Sequence, residues 1–287
     1  MLRTTHGSSA QMSGNPLQNA KDGLAVAGEL IKLAGEDPKA REAAAHLGEA
    51  AVTLSKTINN ALLPLAAANF AIEKARKYFA DRFGDDLSAK AATIPADQIV
   101  EPKASIAGPA LQSLAFCFEE ADLKEMYLNL LATSMDKRVT SNAHPAFVEV
   151  IRQLSAEEAA LLKSVLAGEA DSISIVRAIL KTEGVQGFTV LQNHILRTAD
   201  SDSGDLVSIP GLPAIVENWQ RLGLIVVNYG ERLASDTAYD WADNHPDILR
   251  LREDHAQGDK VVELGFGVMY RTKWGEQFAK AVGLSAS

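Results

Sequence analysis

The clearest pattern of apolar and polar positions runs from residue 111 to residue 155. Its apolar residues recur three or four positions apart, which is the spacing of one face of an α-helix. They are Leu111, Leu114, Phe118, Leu123, Met126, Leu130 and Leu131. A polar block, residues 136–145, then breaks the pattern, and Pro145 is suited to the start of a new helix over Ala146 to Leu154. The pattern therefore predicts two helical stretches joined by a polar connection.

Local signals predict further helices on both sides of this segment. Helices are expected over 19–34 and over 38–83, the latter either as one bent helix or as two. The run from Thr93 to Pro109 contains three prolines, which predicts an extended arm rather than a continuous helix. Ser155 followed by Glu158 forms a capping-box pattern, which predicts that another helix begins there.

After residue 172 the pattern changes to a mixture of helices and β-rich runs. The predicted elements are helices at 172–182 and 210–222, strands at 224–229 and 261–271, a helix from about Asp247 with Pro246 at its start, and a last helix, Lys273 to Val282, capped by Thr272. The two strands are expected to pair antiparallel. This order is typical of a winged-helix module.

The predicted fold class is therefore mainly α. An N-terminal multi-helix bundle is followed by a small α+β winged-helix-like C-terminal module. The predicted limits are a disordered tail at 1–17, a helical domain at 18–168 and a winged-helix-like domain at 169–287.

The charge of the chain argues against nucleic acid as its partner. The net charge is −9, and acidic residues outnumber Lys and Arg over 201–287. Binding to phosphates needs clustered cations, so duplex DNA should bind residues 170–287 no better than about 10⁻⁴ M at physiological salt. An unidentified protein partner is the favoured expectation.

The sequence carries no convincing targeting or membrane-spanning segment. The N-terminal residues lack the apolar core of a signal peptide. The most apolar stretch, residues 61–72, is too short to cross a bilayer, which takes about 20 residues. The single cysteine, Cys117, rules out an internal disulfide and is typical of a reducing compartment. A cytoplasmic location is therefore expected.

Motifs for catalysis and for cofactors are missing from the sequence. It contains no phosphate-binding loop, no Gly-x-Ser-x-Gly nucleophile turn and no His or Cys pair at zinc spacing. Asp243, His245 and Asp247 alternate and could approach a metal, but a solvated loop leading into a helix N-terminus explains them more simply. We therefore predict no catalytic residue, no cofactor and no metal site.

The polar block supplies the candidate interaction surface: Asp136, Lys137, Arg138 and His144. An Asp–His pair beside two cations could also perform acid–base chemistry on a phosphodiester. The simpler interpretation is that Lys137 and Arg138 offset a helix dipole, while His144 and Pro145 begin the next helix.

Five blocks of the chain resemble the abortive infection alpha (Abi-alpha) family, bacterial proteins associated with phage defence. They are residues 59–79, 94–114, 123–137, 144–159 and 265–282, the last containing a strand followed by Thr272-x-x-Gly275. The resemblance implies a role in phage defence. It implies no reaction, because none of these blocks is a catalytic signature.

Two hypotheses of different classes follow. The first is a non-enzymatic defence protein that binds a phage or host factor. The second is a metal-dependent nuclease built around Asp136 and His144. A DNA-binding regulator is a weaker third hypothesis, because the C-terminal part is acidic.

Overall fold

A computed structural model describes residues 57, 69–167, 172–200, 202–235, 237–256 and 258–284. The predicted tail at 1–17, the helix at 19–34 and most of the segment 38–68 lie outside these residues. The chain divides into two compact units, Met1–Val148 and Glu149–Ser287. The predicted domain boundary at 168/169 falls in a stretch that the structure does not describe, so it stays a prediction.

The described part of the first unit is built from helices. They are α1 (Asn69–Asp81), α2 (Phe83–Ala91), α3 (Ala104–Cys117), α4 (Ala121–Met135) and the start of α5 (Ala146–Arg152). Leu111, Leu114, Leu130 and Leu131 are fully buried, and Phe118 is half-buried. The helical stripe that the sequence predicts is therefore confirmed.

An arm of chain joins α2 to α3. Ile94 and Ile99 are buried, and the Val100 amide donates to the Met135 carbonyl at 2.8 Å. The predicted arm is confirmed only up to Lys103, because α3 begins at Ala104 and contains Pro109. Proline removes one backbone donor, but its fixed φ is compatible with a helix, so the apolar face of α3 decides the conformation there.

The second unit is built around a four-stranded antiparallel sheet. Its elements are the rest of α5, α6 (Ala156–Leu166), β1 (Ser172–Thr182), β2 (Thr189–Leu196), α7 (Leu212–Arg221), β3 (Ile225–Asn228), α8 (Pro246–Asp254), β4 (Lys260–Arg271) and α9 (Lys273–Ala281). The strand order is β2-β1-β4-β3. β1 pairs with β4 along its whole length, from Ser172 opposite Tyr270 to Thr182 opposite Lys260.

The predicted fold class, a mainly α protein ending in a winged-helix-like module, is wrong. Residues 172–182 were expected to form a helix but form β1, and residues 189–196 form a further strand, β2. The apolar residues of β1 satisfy helical and strand spacing equally, so periodicity alone could not separate the two. Its β-branched Ile173, Ile175, Val176 and Ile179 suit a strand, and pairing with β4 settles the choice.

Several local predictions for the second unit are confirmed. β3 and β4 pair antiparallel, with Ile225 opposite Arg271. Helix α8 begins at Pro246, and the Thr272 side chain caps α9 by accepting from the Gly275 amide. Ser155 and Glu158 form both bonds of a capping box.

One face of the sheet carries an apolar core. Buried residues from β1, β2, α8 and β4 meet there with Tyr239 and Ala242, and they include Val176, Ala178, Ile195, Ile248, Leu251 and Val262. Helix α7 packs against β2 and β3, and α9 packs against β4. This core fixes β1, and β1 places Arg177 on the opposite face of the sheet.

Candidate functional site

Asp136 lies immediately after α4 and is held by Arg138. The Arg138 Nε donates to Asp136 Oδ1 at 2.9 Å, and its Nη2 donates to Oδ2 at 2.6 Å. The Arg138 backbone amide adds a bond of 3.0 Å to Oδ1. These bonds from Arg138 hold the pKa of the Asp136 carboxyl below its usual value, although burial opposes the shift.

The arm fixes the same segment from the other side. Ile99 forms an isolated antiparallel bridge with Asp136, and the Lys137 amide donates to the Gln98 carbonyl at 2.9 Å. Arg138 Nη2 also reaches the Thr93 carbonyl, at 3.4 Å. The first half of the polar block is therefore a fixed part of the first unit.

The four predicted surface residues differ in exposure. Asp136 is buried, while Lys137, Arg138 and His144 are exposed. The His144 Nδ1 accepts from the Ala146 amide at 3.1 Å, so this side chain caps the start of α5. Asp136 itself is buried, so its carboxylate contributes to the candidate surface by holding Arg138.

This geometry gives no support to a nuclease centre built from Asp136 and His144. Within the described part of the chain, the Asp136 carboxylate bonds to Arg138 and not to His144. A carboxylate whose pKa is lowered and whose two oxygens are occupied is a poor proton donor. No group of three or more His, Cys, Asp and Glu side chains among the described residues could hold a metal ion.

The residues Asp243, His245 and Asp247, at the start of α8, lie in two different environments. Asp243 is exposed and pairs with Arg252, at 2.6 Å between oxygen and nitrogen. His245 and Asp247 are buried, and the His245 Nδ1 accepts from the Asp247 amide at the start of α8. Burial lowers the pKa of His245, although Asp247 opposes the shift. The predicted helix N-terminus is confirmed, but it is not the solvated loop that the sequence suggested.

Asp247 joins helix α8 to strand β2 and to the loop that contains Ser208. It accepts from the Ser208 hydroxyl at 2.8 Å and from the Gln192 Nε2 at 3.2 Å, and Arg250 lies 3.4 Å away. These bonds satisfy the buried carboxylate, so we assign it to the structure of the sheet and not to chemistry.

A second polar cluster lies on the other face of the sheet, and sequence analysis missed it. The Arg177 guanidinium lies over two aromatic rings, 5.2 Å from the ring centre of Phe188 and 4.7 Å from that of Tyr229. The Tyr229 hydroxyl accepts from the His194 amide at 2.9 Å and lies 3.2 Å from its Nδ1. We call these four residues the Arg177 cluster.

His194 occupies a β-bulge with a left-handed backbone. Between two paired positions, β1 has the single residue Arg177, while β2 has Asn193 and His194. His194 has φ of 57°, and it is the one residue other than glycine with positive φ among the described residues. Such conformations cost free energy and are enriched at functional sites. Burial lowers the pKa of His194, although Glu217 opposes the shift.

Two glycines of β4 make room for this cluster. A Cβ at Gly265 would lie 2.8 Å from Arg177 Nε, and one at Gly267 would lie 2.6 Å from the Tyr229 ring. The interruption of alternation by these two glycines is visible in the sequence. This interruption was the one sequence signal for the cluster, but it does not identify the side chains that occupy the space beside the glycines.

The family comparison agrees with the resemblance noted from the sequence. The family model for abortive infection alpha matches residues 75–282. The chain therefore belongs to the abortive infection alpha family, whose name associates it with abortive infection, a form of phage defence. No curated protein and no solved structure matches the chain. Among the described residues, no helix is long and apolar enough to cross a membrane.

Proposed function

We propose that this protein restricts phage without catalysing a reaction, by binding a phage or host protein through the polar block. Membership of the abortive infection alpha family supports the defence role. The observation that carries the mode of action is the construction of the block. A buried Asp136 and the arm hold a short connection on which Lys137, Arg138 and His144 are exposed.

A fixed connection suits binding because its side chains lose little freedom when a partner docks. Val139 adds apolar surface, with 36% of its side chain exposed between the cations and the 3₁₀ turn Thr140–Asn142. Arginine beside an apolar side chain is a common composition at protein interfaces. The exposed cations favour an acidic patch on the partner.

Plaque counts on cells that carry the wild type or a variant test this proposal. Lys137→Glu reverses an exposed charge, so it should abolish protection and leave the stability of the protein within about 0.5 kcal/mol. Lys163→Glu reverses another exposed lysine, on α6, and is the matched control. It should protect as well as the wild type.

Two outcomes would contradict the proposal. Absence of protection by the wild type against a broad phage panel removes the defence role. Equal protection by both variants keeps that role but removes the polar block as the binding surface. Affinity purification from infected and uninfected cells then identifies the partner as the protein retained by Lys163→Glu and lost by Lys137→Glu.

A further inference from the structure

The Arg177 cluster contains a cation for which the described residues provide no anion. The Arg177 side chain forms no hydrogen bond or ion pair with any residue that the structure describes, and its guanidinium lies against the two aromatic rings. Its Nε is buried without a hydrogen-bond partner there. The closest acidic neighbour on β4, Glu263, pairs instead with Lys181, at 2.6 Å between nitrogen and oxygen.

The surrounding residues keep this arginine in place. Contact with the two rings limits the rotation of the guanidinium, and Gly265 provides the space for its side chain. The side chain is half-exposed while its Nε is enclosed, so the terminal nitrogens form its accessible edge. Two parallel N–H groups on such an edge match the two oxygens of a carboxylate or a phosphate.

An apolar surface adjoins this edge. The side chain of Phe188 is 50% exposed, and that of Val190 is 39% exposed. Both belong to the β1–β2 hairpin, where Val185 is also exposed. A ligand that reaches Arg177 with its anionic group can therefore place an apolar body on Phe188.

We propose that the Arg177 cluster binds a small organic anion, with a phosphate or carboxylate group on the guanidinium of Arg177 and an apolar or aromatic body against Phe188. Tyr229 holds the arginine, His194 fixes Tyr229 by bonding to its hydroxyl, and neither residue contacts the ligand. The site lies in the second unit and is separate from the polar block.

Isothermal titration calorimetry on the full chain, with four probes, tests this proposal. Phenyl phosphate and benzoate carry both an anion and a ring, inorganic phosphate carries only the anion, and benzyl alcohol carries only the ring. Phenyl phosphate should bind about tenfold more tightly than inorganic phosphate, because its ring adds contact with Phe188. Benzyl alcohol should show no binding. The ratio between phenyl phosphate and benzoate tells which oxyanion the site prefers.

Two arginine variants locate the site. Arg177→Lys keeps the charge but removes the two-pronged edge, so the affinity for phenyl phosphate should fall about tenfold or more. Arg232 also lies over two rings, 5.2 Å from the ring centre of Tyr239 and 4.4 Å from that of Phe266, but it is exposed. Arg232→Lys is therefore the matched control and should bind like the wild type.

A third variant keeps the test decisive if Arg177→Lys fails to fold. Phe188→Ala changes a half-exposed side chain and should preserve the fold. In this variant, phenyl phosphate should bind no more tightly than inorganic phosphate. Absence of saturable binding by both ring-bearing anions overturns the proposal. An equal loss of affinity in Arg177→Lys and Arg232→Lys, or no loss in Phe188→Ala, also overturns it.

Discussion

Two arginines, one in each unit, differ in what their guanidinium groups contact. Arg138 binds both oxygens of Asp136, two residues away in the sequence. Arg177 has aromatic rings around it and no anion among the described residues. The first pair stabilises its own segment. Arg177 keeps its guanidinium available for an anionic ligand, whereas Arg138 already donates from its Nε and Nη2 to Asp136.

The neighbours of the two arginines differ in the same way. The bonds around Arg138 come from the same connection and from the arm. The environment of Arg177 comes from β1, β2, β4 and the chain after β3, so it depends on close approaches between distant segments. Variants that add an atom where two segments approach closely should therefore lower the stability of the second unit more than that of the first unit.

Gly275→Ala should produce the largest effect. A Cβ at this position would lie 2.1 Å from the Leu224 carbonyl oxygen, which is backbone and cannot move aside. We expect the free energy of unfolding to fall by about 3 kcal/mol or more. Chemical denaturation followed by circular dichroism measures it.

Gly108→Ala is the matched control in the helical unit. Apart from its chain neighbours and the backbone of its own helix, no atom of the described residues lies within 4 Å of its added Cβ, and the residue is inside α3. Alanine should increase stability by about 0.5–1 kcal/mol, because it lowers the entropy cost of forming a helix. Similar losses for the two variants would remove the contrast between the units.

Gly267→Ala should have the next largest effect. Its Cβ would meet the Tyr229 ring at 2.6 Å and the Asn228 carbonyl at 3.0 Å, and we expect a loss of about 2 kcal/mol. The three atoms nearest to a Cβ at Gly265 belong to the Arg177 side chain, which can shift more readily than backbone, so the loss for Gly265→Ala should be smaller, about 1 kcal/mol. Denaturant midpoints of the two variants, measured side by side, check this order. The reverse order would mean that Tyr229 is not fixed as the structure shows.

Asp136→Asn tests the local pairing in the polar block. Asparagine cannot accept from both Arg138 nitrogens, and the buried position magnifies the loss, so stability should fall by about 1–2 kcal/mol at pH 7. Because the folded-state pKa of Asp136 is lowered, this contribution exists above its unfolded pKa, about 3.9, and disappears as the pH falls through the folded pKa. Denaturation of both proteins at pH 7 and pH 3 measures it. An undiminished difference at pH 3 would contradict the assignment.

The smallest effect is the pH dependence from His194. Its folded-state pKa is lowered, so the unfolded chain binds a proton more readily. The contribution of His194 to the free energy of unfolding is fully present above its unfolded-state pKa, about 6.5. It is lost as the pH falls from there toward the lower, folded-state pKa. His194→Asn, a residue that tolerates positive φ, should flatten the stability profile between about pH 7.5 and pH 5.

The elements that the sequence located correctly depend on short-range chemistry. Each of these signals involves residues at most three positions apart in the chain. They are the capping box of Ser155 and Glu158, the proline at the start of α8 and the Thr272 cap. The structure also explains the Thr272-x-x-Gly275 pattern. Thr272 caps α9, and Gly275 lets this helix approach the Leu224 carbonyl.

The sequence by itself determined the helical stripe, the starts of α5, α6, α8 and α9, the pairing of β3 with β4 and the family. It also singled out the residues of the polar block, because they are adjacent in the chain. Only the tertiary structure decided that residues 172–182 form a strand, that Asp136 is buried, and that Arg177 lies against Phe188 and Tyr229, with His194 bonded to Tyr229. The physical reason is the distance along the chain over which each kind of interaction acts. Spacing and capping are properties of a few consecutive residues, whereas strand pairing, burial and the filling of space beside a glycine depend on segments that folding alone brings together.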